Sequence, residues 1–394
     1  MRDLLTRLNE ISGTSAQATR PAAEPSDTCF VRDTRLPLEE LPGLTDVALA
    51  QLACIDRGFW GDRADAPDPR RFLFLDTETT GLGMGAGTVA FLLGLGWIED
   101  GAFVVRQLLM RDYHEEPLLL QAYADLLPRF EAFVTFNGKC FDLPLLQNRL
   151  IMHRMRDAAL QRPHLDLLYP ARRVWRLRLG DCALSNLERR VLSSPRMEDL
   201  PGAEVPDRYF AYLRTGDFAP LEDVLRHNLL DIVALARLLV HLARVFDQPE
   251  QQSFSEDVFS LGRSLARDGQ RGAARRCFQA ASQSALSERA RAQWALCHRA
   301  DHQYEQAAGI YRQMIADGQG GTAPYVELAK IAEHRQRDLP RAMACTEDAL
   351  RRLRLRARLH GGEDAADQAE RQALEARLAR LARRLRRALP QEKV

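Results

Sequence analysis

Four consecutive apolar residues, Phe72 to Leu75, run straight into Asp76-Thr77-Glu78, and this junction limits the folds open to the chain more than any other feature. A short apolar run closed by polar residues reads as a strand. Side chains alternate along a strand, so carboxylates at i and i+2 project from one face at its end. Two more strand-like runs follow, TVAFLLGLGWIE and AFVVRQLLMR, joined by Glu99-Asp100-Gly101. Asp-Gly between such runs predicts a tight hairpin. Next come an amphipathic stretch EEPLLLQAYADLLPRF, a strand AFVTFN, a helix DLPLLQNRLIMHRM, a strand around HLDLLY, and a long helix from about Leu221 to Phe246. The order β-β-β-α-β-α-β-α predicts an α/β domain, a mixed sheet with helices against its faces.

At 394 residues the chain exceeds what one core usually organises. Residues 1–70 read as an N-terminal helix, a flexible segment rich in Ser, Thr, Ala and Pro, and a lead-in. The α/β domain then spans 71–247, helical repeats 255–350, and an Arg-rich helical tail 351–394. In the repeats, Ala274, Phe278 and Ala281 recur as Ala307, Tyr311 and Met314, and again as Ala342, Thr346 and Ala349. This is near the period of about 34 residues of tetratricopeptide repeats, which they resemble; an ordinary helical bundle with Ala at close contacts is the other reading. The tail suits a surface or partner-binding helix, or a basic contact for nucleic acid.

Seven dispersed cysteines with no C-x-x-C pair argue against a disulfide framework or a zinc site. No apolar stretch approaches the roughly 18 to 20 residues of a membrane span, and the start, MRDLLTRLNE, lacks a secretory pattern, so the expected location is the cytoplasm with no membrane partner. A net charge of +1 does not advertise a polyanion partner globally, so any nucleic-acid contact must come from local patches.

The candidate chemistry is carboxylate chemistry. Hard divalent cations, Mg²⁺ or Mn²⁺, favour oxygen ligands, and phosphodiester cleavage uses two of them about 3.5 to 4 Å apart. Asp76 and Glu78 offer two ligands from one strand; VTFNGKCFDLPLL places Asp142 at the entry of a helix, and VLRHNLLDIVALARLL places His227 and Asp231 one helical turn apart. The segments F-L-D-T-E-T-T-G, F-N-G-K-C-F-D-L-P and H-N-L-L-D resemble the three motifs of the four-carboxylate (DEDD) exonuclease superfamily. RQLLMRDYHEEPLLLQ, HLDLLYPARRVWR and YFAYLRTGDFAPLEDVLRHNLLDIVALARLL narrow this to a resemblance to the YprB-type ribonuclease-H-like family, over about residues 70 to 242.

The resemblance implies a ribonuclease-H-like fold and a two-metal nuclease, a 3′–5′ exonuclease on DNA or RNA. It implies Asp76, Glu78, Asp142 and Asp231 as metal ligands, with His227 as general base. Superfamily members with a catalytic His usually place it five residues before the last Asp; here the gap is four, where the other branch carries Tyr. His227 is then either the base, a substitute for that tyrosine, or a supporting group. The alternative is a nucleic-acid-binding or scaffold protein that works through its repeats, with a protein partner there. Weaker nucleic-acid candidates are Asn137, which equally suits a turn, Lys139, and Arg173 with Trp175, flanked by Arg172, Arg176 and Arg178, a segment that equally suits an exposed helix whose Trp packs inward. Asp166 reads as a local cap, and Gly81, Gly83, Gly85 and Gly87 as a loop beside the site rather than a phosphate loop.

Overall fold

The structure is a computed structural model that describes residues 28–60, 68–81, 87–155, 162–196 and 200–388. The expected N-terminal helix, most of the flexible segment, and Gly83 and Gly85 lie outside these residues. The described chain forms two compact units, divided between Gln248 and Pro249.

The first unit is built on six strands: β1 (Phe30–Pro37), β2 (Phe72–Thr79), β3 (Ala90–Glu99), β4 (Ala102–Leu109), β5 (Ala132–Thr135) and β6 (His164–Asp166). Their order in the sheet is β1-β4-β3-β2-β5-β6. The pairs β1/β4, β4/β3 and β3/β2 are antiparallel, whereas β2/β5 and β5/β6 are parallel. The predicted hairpin is present: Asp100 and Gly101 both have positive φ, 48° and 73°, the turn whose twist matches paired strands.

β1 corrects the reading of residues 1–70 as a lead-in. It is an edge strand paired with β4 along its whole length, from Phe30 opposite Leu109 to Pro37 opposite Ala102. Its outward residues Val31, Asp33, Arg35 and Pro37 are exposed, so it has no apolar run to betray it. Charge takes the place of burial, with Arg106 on β4 donating two hydrogen bonds to the Asp33 carboxylate at 2.7 and 2.6 Å.

One face of the sheet carries Leu73, Leu75, Leu93, Leu95 and Trp97, which pack with Leu119 and Tyr123 of α2 (Glu116–Leu126) and Leu145 and Leu146 of α3 (Asp142–Met152). α1 (Leu49–Ile55) precedes these helices in the chain, and α4 (Leu168–Leu179), α5 (Leu184–Arg190) and α6 (Val205–Thr215) follow them. The other face is crossed by α7 (Ala219–Asp247), a helix of 29 residues with an apolar side buried along its length. It can lie this close because β3 has no side chain at two alternate positions: a Cβ on Gly94 would meet Asn228 Oδ1 at 2.4 Å, and one on Gly96 would meet Ile232 Cγ2 at 2.5 Å. Glycine in a strand interior otherwise weakens it, and here marks close approach.

The second unit is helical: α8 (Ser255–Arg267), α9 (Arg271–Ala281), α10 (Ser287–Ala300), α11 (Tyr304–Ala316), α12 (Ala323–Ile331), a π-helical turn (Ala332–Gln336), α13 (Leu339–Leu359) and α14 (Ala365–Ala388). Ala274, Phe278, Ala307, Tyr311, Ala342 and Thr346, the recurring positions, are all buried. The expected boundary between repeats and tail at residue 350 falls inside α13, one continuous helix. The Arg-rich tail places part of its charge inside the unit. Arg377, Arg380 and Arg384 of α14 converge on Glu333, whose side chain is fully buried, and Leu374 and Leu381 are buried on the same helix. No helix among the described residues is long and apolar enough to cross a membrane.

Candidate active site

The parallel pairing of β2 with β5 brings the carboxyl ends of both strands to one edge of the sheet, the usual place for a site in such sheets. The register slips between Glu78 and Thr79, a bulge at the strand end that bears the acids. α7 adds the third segment by crossing over β3, which sets His227 and Asp231 above Glu78. Ligand atoms of Glu78, His227 and Asp231 all lie within 4.8 Å of one another, and His227 Nε2 is 3.4 Å from Asp231 Oδ2.

Asp76 is held from the side. In the sheet, Asp76 of β2 lies opposite Gly94 of β3, and Gly94 opposite Gln107 of β4, so the three form one row on the face under α7. Asn228 fills the gap above Gly94. Its Nδ2 donates to Asp76 Oδ2 at 3.1 Å, while its Oδ1 accepts from Gln107 Nε2 at 3.1 Å. Gln107 Nε2 also donates to the Leu225 carbonyl at 2.7 Å. Asn228 is 0% and Gln107 1% exposed, so this bridge is anchored away from water. Gln107→Leu should therefore leave the fold in place but release Asn228, and should weaken metal binding or activity about 10- to 100-fold. Titrating Mn²⁺ against thermal unfolding checks this; an unchanged midpoint would remove Gln107 from the site.

Burial, then the like charges of Asp231, Glu78 and Asp142 in that order, push the Asp76 carboxyl well above the usual carboxylate range, against the Asn228 hydrogen bond. Asp142 does not join the three-residue group. The Thr77 hydroxyl donates to Asp142 Oδ1 at 2.5 Å, and Thr77 projects on the strand face opposite Asp76 and Glu78. Like Asp76, Asp142 stands outside that group, yet its charge acts on Asp76 while one of its oxygens is held by the Thr77 hydroxyl. Burial pushes Asp142 from 3.8 up to about 6, with its hydrogen bonds opposing.

A raised folded-state value means the folded chain takes up a proton between about pH 4 and 6 that the unfolded chain does not hold. Metal-free stability therefore falls as pH rises through about 6. Asp142→Asn should remove that slope and stabilise the metal-free protein at neutral pH by on the order of 1 to 3 kcal/mol. Melting curves of both proteins across this range give the answer, and parallel curves would count against it.

Asp231 carries a second partner, Arg196, whose Nη2 donates to Asp231 Oδ1 at 2.6 Å while its Nε donates to Glu188 Oε1 at 3.0 Å. The Arg196 and Glu188 side chains are 6% and 7% exposed, and the guanidinium offsets part of the acid cluster's charge.

The weaker candidates sort plainly. Trp175 is buried and tilts against His241 with ring centroids 5.8 Å apart, so it has no face for a base to stack on. Arg173 donates to the Ile55 carbonyl, which holds α4 to the end of α1. Of the two readings of this segment, the inward-packing one describes Trp175, and Arg173 is engaged in the same packing. Asn137 adopts the left-handed conformation, φ 69°, and its N–H donates to Asp166 Oδ1 at 2.8 Å. Lys139 N–H donates to Asp166 Oδ2 at 3.0 Å, and its ammonium lies 3.2 Å from Asp56. Asp166 thus caps the loop that leads into Asp142.

Sequence reasoning missed Asn228, Gln107, Thr77 and Arg196. Glycines at alternate positions of a strand were the available signal for Asn228, since they announce that something packs on that face.

Residues 73–243 match the family RNase_H_2, described as RNase_H superfamily. Over 346 residues the chain is 26% identical to YprB of Bacillus subtilis (strain 168), an alignment that covers 84% of this chain and 82% of that protein. Among solved structures it is similar to the family B DNA polymerase from the hyperthermophilic archaeon Pyrobaculum calidifontis, over 52% of this chain and 30% of the polymerase, at 16% identity and a TM-score of 0.36. The mixed sheet, the acids at its carboxyl edge and the matched segment agree, and residues 73–243 are an RNase_H superfamily domain.

Proposed function

We propose that the chain is a divalent-metal-dependent nuclease that hydrolyses phosphodiester bonds of DNA or RNA from a 3′ end. The observation that carries this reading is the grouping of Glu78, Asp231 and His227 beside Asp76, whose carboxyl is kept from ionising easily by burial first and then by the acids around it. A structural role gives no reason to gather like charges around one another; a cation between them does. The donor set fits Mg²⁺ or Mn²⁺, being mostly carboxylate oxygen. Asp76, Glu78 and Asp231 would hold the metals, with Asp142 adding negative charge from the Thr77 side. Bound there, two such cations supply Lewis acidity and offset the phosphodiester's charge.

His227 takes the proton of the attacking water, its imidazole oriented by Asp231 at 3.4 Å. Hard cations prefer oxygen, which leaves that imidazole for proton transfer. Asn228 holds Asp76 in register with the strand, and Thr77 fixes Asp142.

The test is end-labelled single-stranded DNA and RNA incubated with the full chain in Mn²⁺, in Mg²⁺ and in chelator, with products resolved by length. Metal-dependent shortening supports the reading, and the ladder gives sugar preference and polarity. The Arg196 ion pair on Asp231 favours a second reading, a nucleic-acid-binding chain that does not turn over. Strand binding without cleavage in any metal would select it.

A further inference from the structure

Beside the acid cluster lies a cavity of about 560 Å³ whose wall is dominated by arginine: Arg178, Arg189, Arg190 and Arg196, with Asn186 and one acid, Asp181. It is formed where the end of α4, the helix α5 and the irregular segment that leaves α5 meet. Arg196 belongs to both places at once, since it lines the cavity and donates to Asp231 at 2.6 Å. The cavity is therefore one side chain away from the candidate metal ligands.

Its charge is organised rather than incidental. Arg189 donates to Asn186 Oδ1 at 3.1 Å, and Asn186 Nδ2 donates to the Asp181 carbonyl at 2.8 Å, so the wall is held by its own hydrogen bonds. The single acid, Asp181, has Oδ1 engaged by the Ala183 N–H at 3.1 Å. Guanidinium groups in a recess match phosphate oxygens through paired N–H donors and cannot be neutralised near neutral pH. In a chain of net charge +1, such a concentration is a local field with no global counterpart.

We infer that this cavity binds the sugar-phosphate backbone of a single nucleic-acid strand and feeds it to the acid cluster, with Arg189 and Arg190 as phosphate-binding residues and Arg196 at the junction. A single strand can bend its backbone into a recess, whereas a duplex presents phosphates on the outside of a stiff rod. The buried Trp175 offers no stacking platform here, so the contact is to phosphate and is sequence-independent. The inference rests on the nuclease reading for its direction toward the acids, but strand capture by the cavity stands without cleavage.

The experiment is anisotropy of labelled single-stranded DNA and RNA with the full chain in chelator, over a series of salt concentrations. Arg189→Gln/Arg190→Gln is compared with wild type and with Arg354→Gln/Arg358→Gln, a charge-matched exposed pair in the helical unit. The first variant should lose roughly tenfold in affinity at ~0.1 M salt and reduce the salt slope by about 1.4, near 0.7 per lost phosphate contact. The second should leave both unchanged.

Wild type that binds no strand at low salt, an unchanged slope in the cavity variant, or a slope lost only in the helical-unit pair would each overturn the proposal. So would a cavity variant that loses inorganic tripolyphosphate but keeps the oligonucleotides, which would assign the cavity to a free phosphate compound. Because chelator excludes cleavage, a chain that binds here and never cleaves defeats the nuclease reading alone, and one that cleaves with an unchanged slope defeats this one alone.

Discussion

Asp76→Asn should cut metal-dependent cleavage by about 10³-fold or more while raising the melting temperature of the metal-free protein. Both effects come from the same charge. On the proposed reading Asp76 holds a metal, and removing such a ligand forfeits several kcal/mol of transition-state stabilisation, each ~1.4 kcal/mol being a factor of ten. The same substitution takes away a carboxyl that burial and the charges of Asp231, Glu78 and Asp142 already disfavour as an anion. Asparagine keeps an oxygen to accept from Asn228 Nδ2. The gain should be on the order of 1 to 3 kcal/mol, a few degrees for a unit of this size. Adding Mn²⁺ should then stabilise wild type and leave the variant where it was. Scanning calorimetry with and without metal, beside the product ladder, reads all of this. A variant that melts below wild type without metal would mean that the acids are not in mutual repulsion.

Gly94→Ala should destabilise the first unit by on the order of 3 kcal/mol and abolish the metal response together with it. The added Cβ would come 2.4 Å from Asn228 Oδ1, 2.8 Å from Nδ2 and 2.9 Å from Cγ, so the whole carboxamide is in the way rather than the end of a flexible chain. Two escapes exist. Either α7 lifts from β3, which opens the packing of Ile232 on Gly96, or Asn228 swings out and lets go of Asp76 and Gln107. Either one disturbs the site. Gly272→Ala, at a helical position with nothing within 4 Å of its Cβ, is the control and should be neutral or mildly stabilising. Denaturant unfolding of the full chain should show the first unit's transition moved by Gly94→Ala and the helical unit's unmoved. Equal midpoints for wild type and Gly94→Ala would show that α7 is not seated on the glycine row.

Much of this architecture is legible in the sequence because the site sits where strong patterns end. The Phe72–Leu75 run is a strand and delivers Asp76 and Glu78; Asp100-Gly101 is the hairpin; His227 and Asp231 fall one turn apart on α7. Four features are not legible, each for a physical reason. β1 has exposed charge at alternate positions and no apolar run, so only its pairing with β4 reveals it. Asp142 follows a strand and opens a helix as the pattern says, but which face it reaches depends on where α3 packs. Trp175 among arginines looks the same in sequence whether it stacks on a base or fills a core. Arg196 lies 35 residues from Asp231 with nothing periodic between them.

The edge strand has a consequence in time. Pro37 and Ala102 are 65 residues apart and Phe30 and Leu109 are 79 apart, so β1 leaves the ribosome well before the partner that will pair with it. At ordinary rates of synthesis the wait is roughly 3 to 15 seconds, long compared with hairpin formation. An apolar strand exposed for that long would invite pairing with any neighbouring chain. Asp33, Arg32 and Arg35 make β1 a poor partner for strangers, and Arg106 on β4 and Glu222 on α7, which meet Asp33 and Arg32, make it a good one for its own sheet once they emerge.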